Sequence, residues 1–184
     1  MAICRHPLRR ADVVLSAWKN WQPSERSVAA ALARATRADM PELLDAILGA
    51  GLDGNQRVAQ RGVPLLHWAA VMGATGAVEV LLAHAADLEV RAFGDETPLL
   101  CACSKGYASV ALQLLEAGAN PRVVSATGHS PLWYAVTFDD VPLARALLAK
   151  GAELTEEINQ LASTRSPEIQ GLLKEARTSP PGLG

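Results

Sequence analysis

Few residues in this chain could do chemistry: three cysteines, four histidines and adjacent carboxylates such as Asp139-Asp140 and Glu156-Glu157. Cys101 and Cys103 stand two positions apart, which on a helix places them roughly 200° apart around the axis, so they cannot close on one ion. There is no Cys-x-x-Cys and no His-Glu-x-x-His, and a zinc site would have to gather its ligands from distant segments. Two small core thiols are the expectation instead. Cys4 and His6, near the start, could offer only a weak pair of ligands. His67 is expected to be a structural hydrogen-bonding residue, with His84 and His129 at loops or helix edges. No serine or cysteine sits beside a histidine in a nucleophile motif, and no glycine-rich phosphate loop is present. Asp139-Asp140 and Glu156-Glu157 each fall at a predicted helix start, where negative charge favours the helix dipole, so capping accounts for them better than acid–base work does. The expectation is therefore of no catalytic residue, no cofactor and no metal.

The elements that carry these residues follow from composition. The 184 residues are 49% hydrophobic but only 4% aromatic, and runs rich in Val, Ile and Thr are almost absent, so strand signals are weak throughout. Short Ala/Leu-rich stretches, punctuated by Gly, Pro, Asp or Asn, predict brief helices joined by tight turns. An isolated helix shorter than about 12–15 residues is marginal in water, so these helices must be stacked to persist.

The stacking unit repeats. Leu65, Pro98 and Pro131 fall 33 residues apart, as do the pairs Leu81-Leu82, Leu114-Leu115 and Leu147-Leu148, and the turn dipeptides Ala85-Ala86, Gly118-Ala119 and Gly151-Ala152. Fixed self-similarity at this period predicts a solenoid. Ala69, Ala102 and Ala135 are small enough to let first helices approach one another, while the leucine pairs fill the space between units. Gly118 and Gly151 stand where a helix end calls for a left-handed residue. Pro41 and Pro142, just after Asp39 and Asp139, belong in the first turn of second helices.

With these residues in view, the sequence resembles the ankyrin-repeat family. The resemblance rests on the 33-residue period, Thr97-Pro98-Leu99, Leu66-His67-Trp68-Ala69-Ala70, Val78-Glu79-Val80-Leu81-Leu82 and Gly118-Ala119-Asn120. It implies an all-α solenoid of about five helix-turn-helix units with short hairpin-like tips. Clear repeats are expected at 62–94, 95–127 and 128–154, a degenerate first cap at 27–61, a last cap at 155–177 and a disordered tail at 178–184. Several positions depart from the family pattern. Pro64-Leu65 replaces Thr-Pro, Leu100 and Trp133 stand where His67 does, Gly94 is displaced by one position, and Asp139 takes a glycine's place.

The same resemblance places recognition on the hairpin tips and on the exposed, concave side of each first helix. By position, the partner-binding residues are Gln60, Arg61 and Val63 with Val71 and Met72; then Arg91, Phe93 and Glu96 with Ser104 and Lys105; then Thr127 and His129 with Thr137 and Phe138. Met72, Phe93 and Phe138 are the expected apolar anchors, with Arg61, Arg91 and Lys105 supplying orientation and on-rate. Residues 1–26 lie ahead of the repeats with a net charge of +3, leaving −5 for the rest. Trp18 and Trp21 would share a helix face there, either capping the first repeat or forming a basic arm.

With 17 Lys and Arg against 19 Asp and Glu, the chain lacks the positive field that nucleic-acid binding needs, and no stretch is long and apolar enough for a membrane span. Sparse, odd-numbered cysteines fit a reducing, cytoplasmic setting. The expectation is a monomeric protein-protein interaction module whose partner is another protein. An immunity-type inhibitor of an enzyme or toxin is the alternative, and an enzyme with an unrecognised site is the remote one.

Overall fold

In the computed structural model, residues 25–58 and 62–178 are described, apart from the side chains of 25–27 and of Phe93. The expectations for the 1–26 extension before Glu25 and for the tail beyond Thr178 lie outside the described residues. The chain divides into two compact units, the first ending at Asp87 and the second beginning at Leu88.

In the first unit, α1 (Glu25–Arg37) and α2 (Pro41–Gly49) form one helix pair, and α3 (Leu65–Met72) and α4 (Thr75–Ala83) form the next. Between the pairs runs a short antiparallel hairpin of β1 (Arg57–Val58) and β2 (Val63–Pro64), with Val58 opposite Val63. First helix packs on first helix, α1 against α3, and second on second, α2 against α4. In the second unit a 3₁₀ turn at Phe93–Asp95 leads into α5 (Pro98–Ser104) and α6 (Ala108–Glu116). Then follow α7 (Pro131–Thr137) with α8 (Val141–Ala149), and α9 (Glu156–Ala162) with α10 (Pro167–Thr178). The same layering recurs: α5, α7 and α9 stack in one row, and α6, α8 and α10 lie against one another in chain order in a second. Helices of seven to nine residues, too short to stand alone, are held by this side-by-side burial.

The periodic residues do what their spacing requires. Ala69, Ala102 and Ala135 are fully buried, as are Leu81, Leu114 and Leu147. The leucine pairs and the turn dipeptides prove to be joined by hydrogen bonds. The amides of Ala86, Ala119 and Ala152 donate to the carbonyls of Leu81, Leu114 and Leu147 at 3.0, 2.9 and 2.9 Å. This is the closure of a helix end by a left-handed residue, which Gly118 and Gly151 supply at φ 101° and 88°. In the first unit Ala85 takes that conformation at φ 54° despite its Cβ.

Helix starts divide by unit. Thr97, Ser130 and Thr155 each accept, through the side-chain hydroxyl, the amide hydrogen three residues on, with Pro98 and Pro131 in the first turn of their helices. At α3, where Pro64-Leu65 replaces Thr-Pro, no side chain caps the helix. The hairpin does the work: Leu65 N–H donates to Gln56 O at 2.9 Å, and the Arg57 guanidinium donates to Gly62 O at 2.9 Å.

The aspartates that replace glycine are also accounted for. Gly73, Gly106 and Asp139 share one left-handed turn position at 33-residue intervals, with Asp39 at the matching turn of the first pair. Asp and Asn tolerate this region better than most residues. Their carboxylates reach the following pair: Asp39 accepts from the amide of Ala77 at 2.8 Å, and Asp139 from the Ser166 hydroxyl at 2.8 Å. Gly76 is small because Asp39 and Pro41 approach it so closely that a Cβ there would stand 3.1 Å from each. Asp95 makes a similar exchange, holding φ 62° at the position of Gly62 and Gly128. Gly94, the displaced glycine, is left-handed as well at φ 70°.

Candidate functional site

The thiols and histidines come first, because they bear on chemistry. Cys101 and Cys103 are both buried on α5, and Cys101 Sγ donates to Glu96 Oε2 at 3.0 Å. Burial pushes both thiols up, Cys103 to about 12, and the Glu96 carboxylate raises Cys101 further. They are neutral core thiols at any ordinary pH, poor as nucleophiles or ligands. His67 is buried on α3, His84 Nε2 lies 2.8 Å from Asp45 Oδ1, and His129 packs on an aromatic ring. Among the described residues no three His, Cys, Asp or Glu side chains are grouped as a metal site would need. Asp140 caps α8 by accepting from the Leu143 amide at 3.0 Å, while Glu156 and Glu157 occupy the first turn of α9 behind the Thr155 cap.

The expected binding residues distribute unevenly. In the first unit, Gln60 and Arg61 lie outside the described residues. Val63 is 2% exposed, drawn inside because it pairs with Val58 across the hairpin, so its side chain is not available to a partner. Val71 and Met72 are half-buried in the last turn of α3.

In the second unit, Arg91 is exposed but clamped on its own tip, donating to Asp95 O at 2.8 Å and Asp95 Oδ2 at 2.7 Å. Phe93 starts the 3₁₀ turn, and its side chain lies outside the described set. Glu96 is half-buried and occupied by Cys101. Two hydroxyls turn back onto their own helices: Ser104 donates to Cys101 O at 3.0 Å and Thr137 to Trp133 O at 2.8 Å. What remains outward at the helix ends is Lys105 and Phe138, the latter 53% exposed. Phe138 Cε2 lies 4.0 Å from where a Cβ on Gly106 would be, so its ring leans over the α5–α6 turn. Gly106 is flanked by exposed Lys105 and by Tyr107, which is 40% exposed. Tyr107 was not singled out from the sequence. Its signal is an aromatic residue immediately after a turn glycine, where helix packing cannot enclose it.

At the neighbouring tip, Thr127 Oγ1 bonds Ser125 Oγ at 2.8 Å and His129 Nδ1 at 3.1 Å. The His129 ring stacks on Trp133 at a 3.7 Å centroid distance and 11° between planes, with the edge of Tyr134 against both. Burial raises the Tyr134 phenol, an effect opposed by its hydrogen bond with Ser125. Trp133 could have been found from the sequence: an indole in place of the buried histidine of the repeat is too large for that slot and must emerge. Val124, 54% exposed beside this tip, carried no such signal.

The arrangement holds apolar rings and one cation outward on a rigid helical frame. Of these groups, the aromatic rings are of the type enriched in interface cores, whereas lysine is depleted there. Among the described residues no helix is long and apolar enough to cross a membrane.

Comparisons with known proteins bear on the family. The family model for ankyrin repeats (3 copies) matches residues 32–125 and again 93–158, together more than half of the chain. A relative from Danio rerio, ZDHHC13, which its name makes a candidate palmitoyltransferase, is 33% identical over 123 residues, covering 66% of this chain and 19% of that protein. Ankyrin repeat and SOCS box protein 16 of Mus musculus is 37% identical over 95 residues, covering 47% of this chain and 21% of its own length. The chain thus spans about a fifth of the length of the curated relatives it matches. Helix pairs with hydroxyl-capped starts, leucine-sealed ends and a 33-residue period, matched by the family model over more than half its length, identify this chain as a member of the ankyrin-repeat family.

Proposed function

We propose that the chain is a protein-protein interaction module that holds another protein against the exposed ends of its first helices and the adjoining hairpin tips. Ankyrin repeats generally mediate protein-protein interaction. The observation that carries the finer reading is Phe138. A large aromatic ring that is half open to solvent, next to Lys105 and Tyr107, costs solubility and contributes nothing to the buried core. Its rigid mounting at the end of α7 lowers the entropy lost on binding. Met72 stands at the equivalent helix end in the first unit. The module acts by binding and not by chemistry, in the cytoplasm and as a monomer. Its neutral, buried thiols Cys101 and Cys103 fit a reducing compartment. That the stretch shared with these relatives is only about a fifth of their own length supports the idea of a portable module.

The test is a photo-crosslinking amino acid placed at position 138 and, separately, at exposed Arg145 on α8. A discrete protein adduct is expected from 138 and not from 145. Equal adducts from both positions, or an adduct from 145 alone, would remove Phe138 and its neighbours from the binding face.

A further inference from the structure

Beside Trp133 on α7, the second unit contains an open cavity of about 140 Å³. Ligand sites for whole small molecules run to roughly 300–1,000 Å³, so this one is sized for a single side chain. Ile158 and Pro121 line it with Trp133, whose indole already has one face covered by His129, and exposed Val124 borders it. Two carboxylates, Glu153 and Glu157, complete the lining.

The polar groups here divide into those the fold has used and those it has not. Ser130 Oγ accepts the Trp133 amide and Thr155 Oγ1 the Ile158 amide, so both hydroxyls serve as helix caps. Arg122, the cation in the lining, donates through Nε to Gly151 O at 2.9 Å and forms no ion pair with either carboxylate. Glu153 and Glu157 make no hydrogen bond or ion pair within the described residues. The lining therefore combines an aliphatic and aromatic wall with two carboxylates that make no ion pair and one guanidinium, Arg122, engaged through its Nε, which leaves an excess of negative charge. A lysine or arginine side chain matches both parts, with a methylene stem for the wall and a cationic head for the carboxylates and the indole. A purely apolar side chain matches only the wall, and an acidic one meets the excess of negative charge.

We infer that this cavity receives a lysine or arginine side chain of the partner protein, held by Trp133, Glu153 and Glu157. The inference rests on the protein-binding reading and names the chemistry that the partner must present. Two carboxylates beside an aromatic wall also favour encounter with a basic segment at low salt.

The full chain, labelled for NMR, is titrated with N-acetyl-lysine amide and N-acetyl-arginine amide, and in parallel with the norleucine and glutamate amides. The expected result is saturable shifts of the Trp133 indole N–H and of the Thr155 and Glu157 amides with the two cationic probes, and at least tenfold weaker response to the other two. The double variant Glu153→Gln/Glu157→Gln should keep the melting temperature and lose at least tenfold in affinity for the cationic probes. Equal response to norleucine, no saturable shift with either cation, or undiminished binding by the double variant would each overturn the inference. A Trp133→Leu variant separates the wall from the charges, and cation binding as tight as in the parent would also count against it. Failure here leaves the crosslinking result at position 138 standing, and failure there leaves the cavity's preference for cations intact, so the two readings fall separately.

Discussion

The two units build the same helix pair and finish it differently. In the second unit, α5, α7 and α9 begin on a threonine or serine hydroxyl, and glycine closes α6 and α8. In the first, α3 begins on a proline braced by a two-residue hairpin, and α4 closes on Ala85 held left-handed. The interiors do not differ in this way: Ala69 and Leu81 are as fully buried as Ala102 and Leu114. Burial therefore specifies the unit, and the end chemistry is interchangeable so long as each orphan amide and carbonyl finds a partner.

The comparison can be pressed hardest at the shared interior. Leu81→Ala and Leu114→Ala should each cost about 2–5 kcal/mol in urea unfolding, since both remove a fully buried side chain. A loss near zero for one of them would mean that the units are not built on the same packing. The helix starts come next. Thr97→Ala and Ser130→Ala should each lose about 1 kcal/mol, the usual value of a hydroxyl cap, read as a fall in melting temperature. Arg57→Ala, which removes one solvent-facing bond to the Gly62 carbonyl, should cost about half of that or less. If Arg57→Ala proved the costlier change, the hairpin would be a stronger start than a cap, not a substitute for one. Smallest is the repair of the helix end. Ala85→Gly should gain roughly 0.5–1 kcal/mol by relieving the left-handed Cβ, and Gly118→Ala should lose about as much. Matched unfolding curves measure both, and a loss on Ala85→Gly would show that the alanine side chain contributes packing.

The repeat was legible because burial is periodic. Each landmark at a 33-residue interval marks the same place within a helix pair, and the same small or branched residue fills it each time. The helix starts at Thr97 and Ser130 could be read locally, because a hydroxyl reaches only three residues along its own chain. The exposure of the proposed binding residues was less legible. Val63 reads as a tip residue by its position, yet its cross-strand pairing with Val58 turns it inward. Arg91, Glu96, Ser104 and Thr137 carry the right types, but each is engaged by a neighbour close in sequence. Phe138 was identified correctly as an exposed ring, whereas Tyr107 and Val124 were passed over because exposure is a property of what packs nearby, not of the residue.

Composition and period by themselves determined that this chain is an all-α stack of short helix pairs, which residues fill its interior and where its helices end, because those depend on contacts that recur identically. Tertiary structure alone decided how the irregular positions are used. Asp39 and Asp139, which break the glycine pattern, hold the following helix pair through their carboxylates. Glu153 and Glu157 line the cavity beside Trp133 without an ion pair, while Arg122 turns its Nε to the Gly151 carbonyl. Such outcomes turn on which of several polar groups reaches a partner first, and that is a matter of distances between segments remote in sequence.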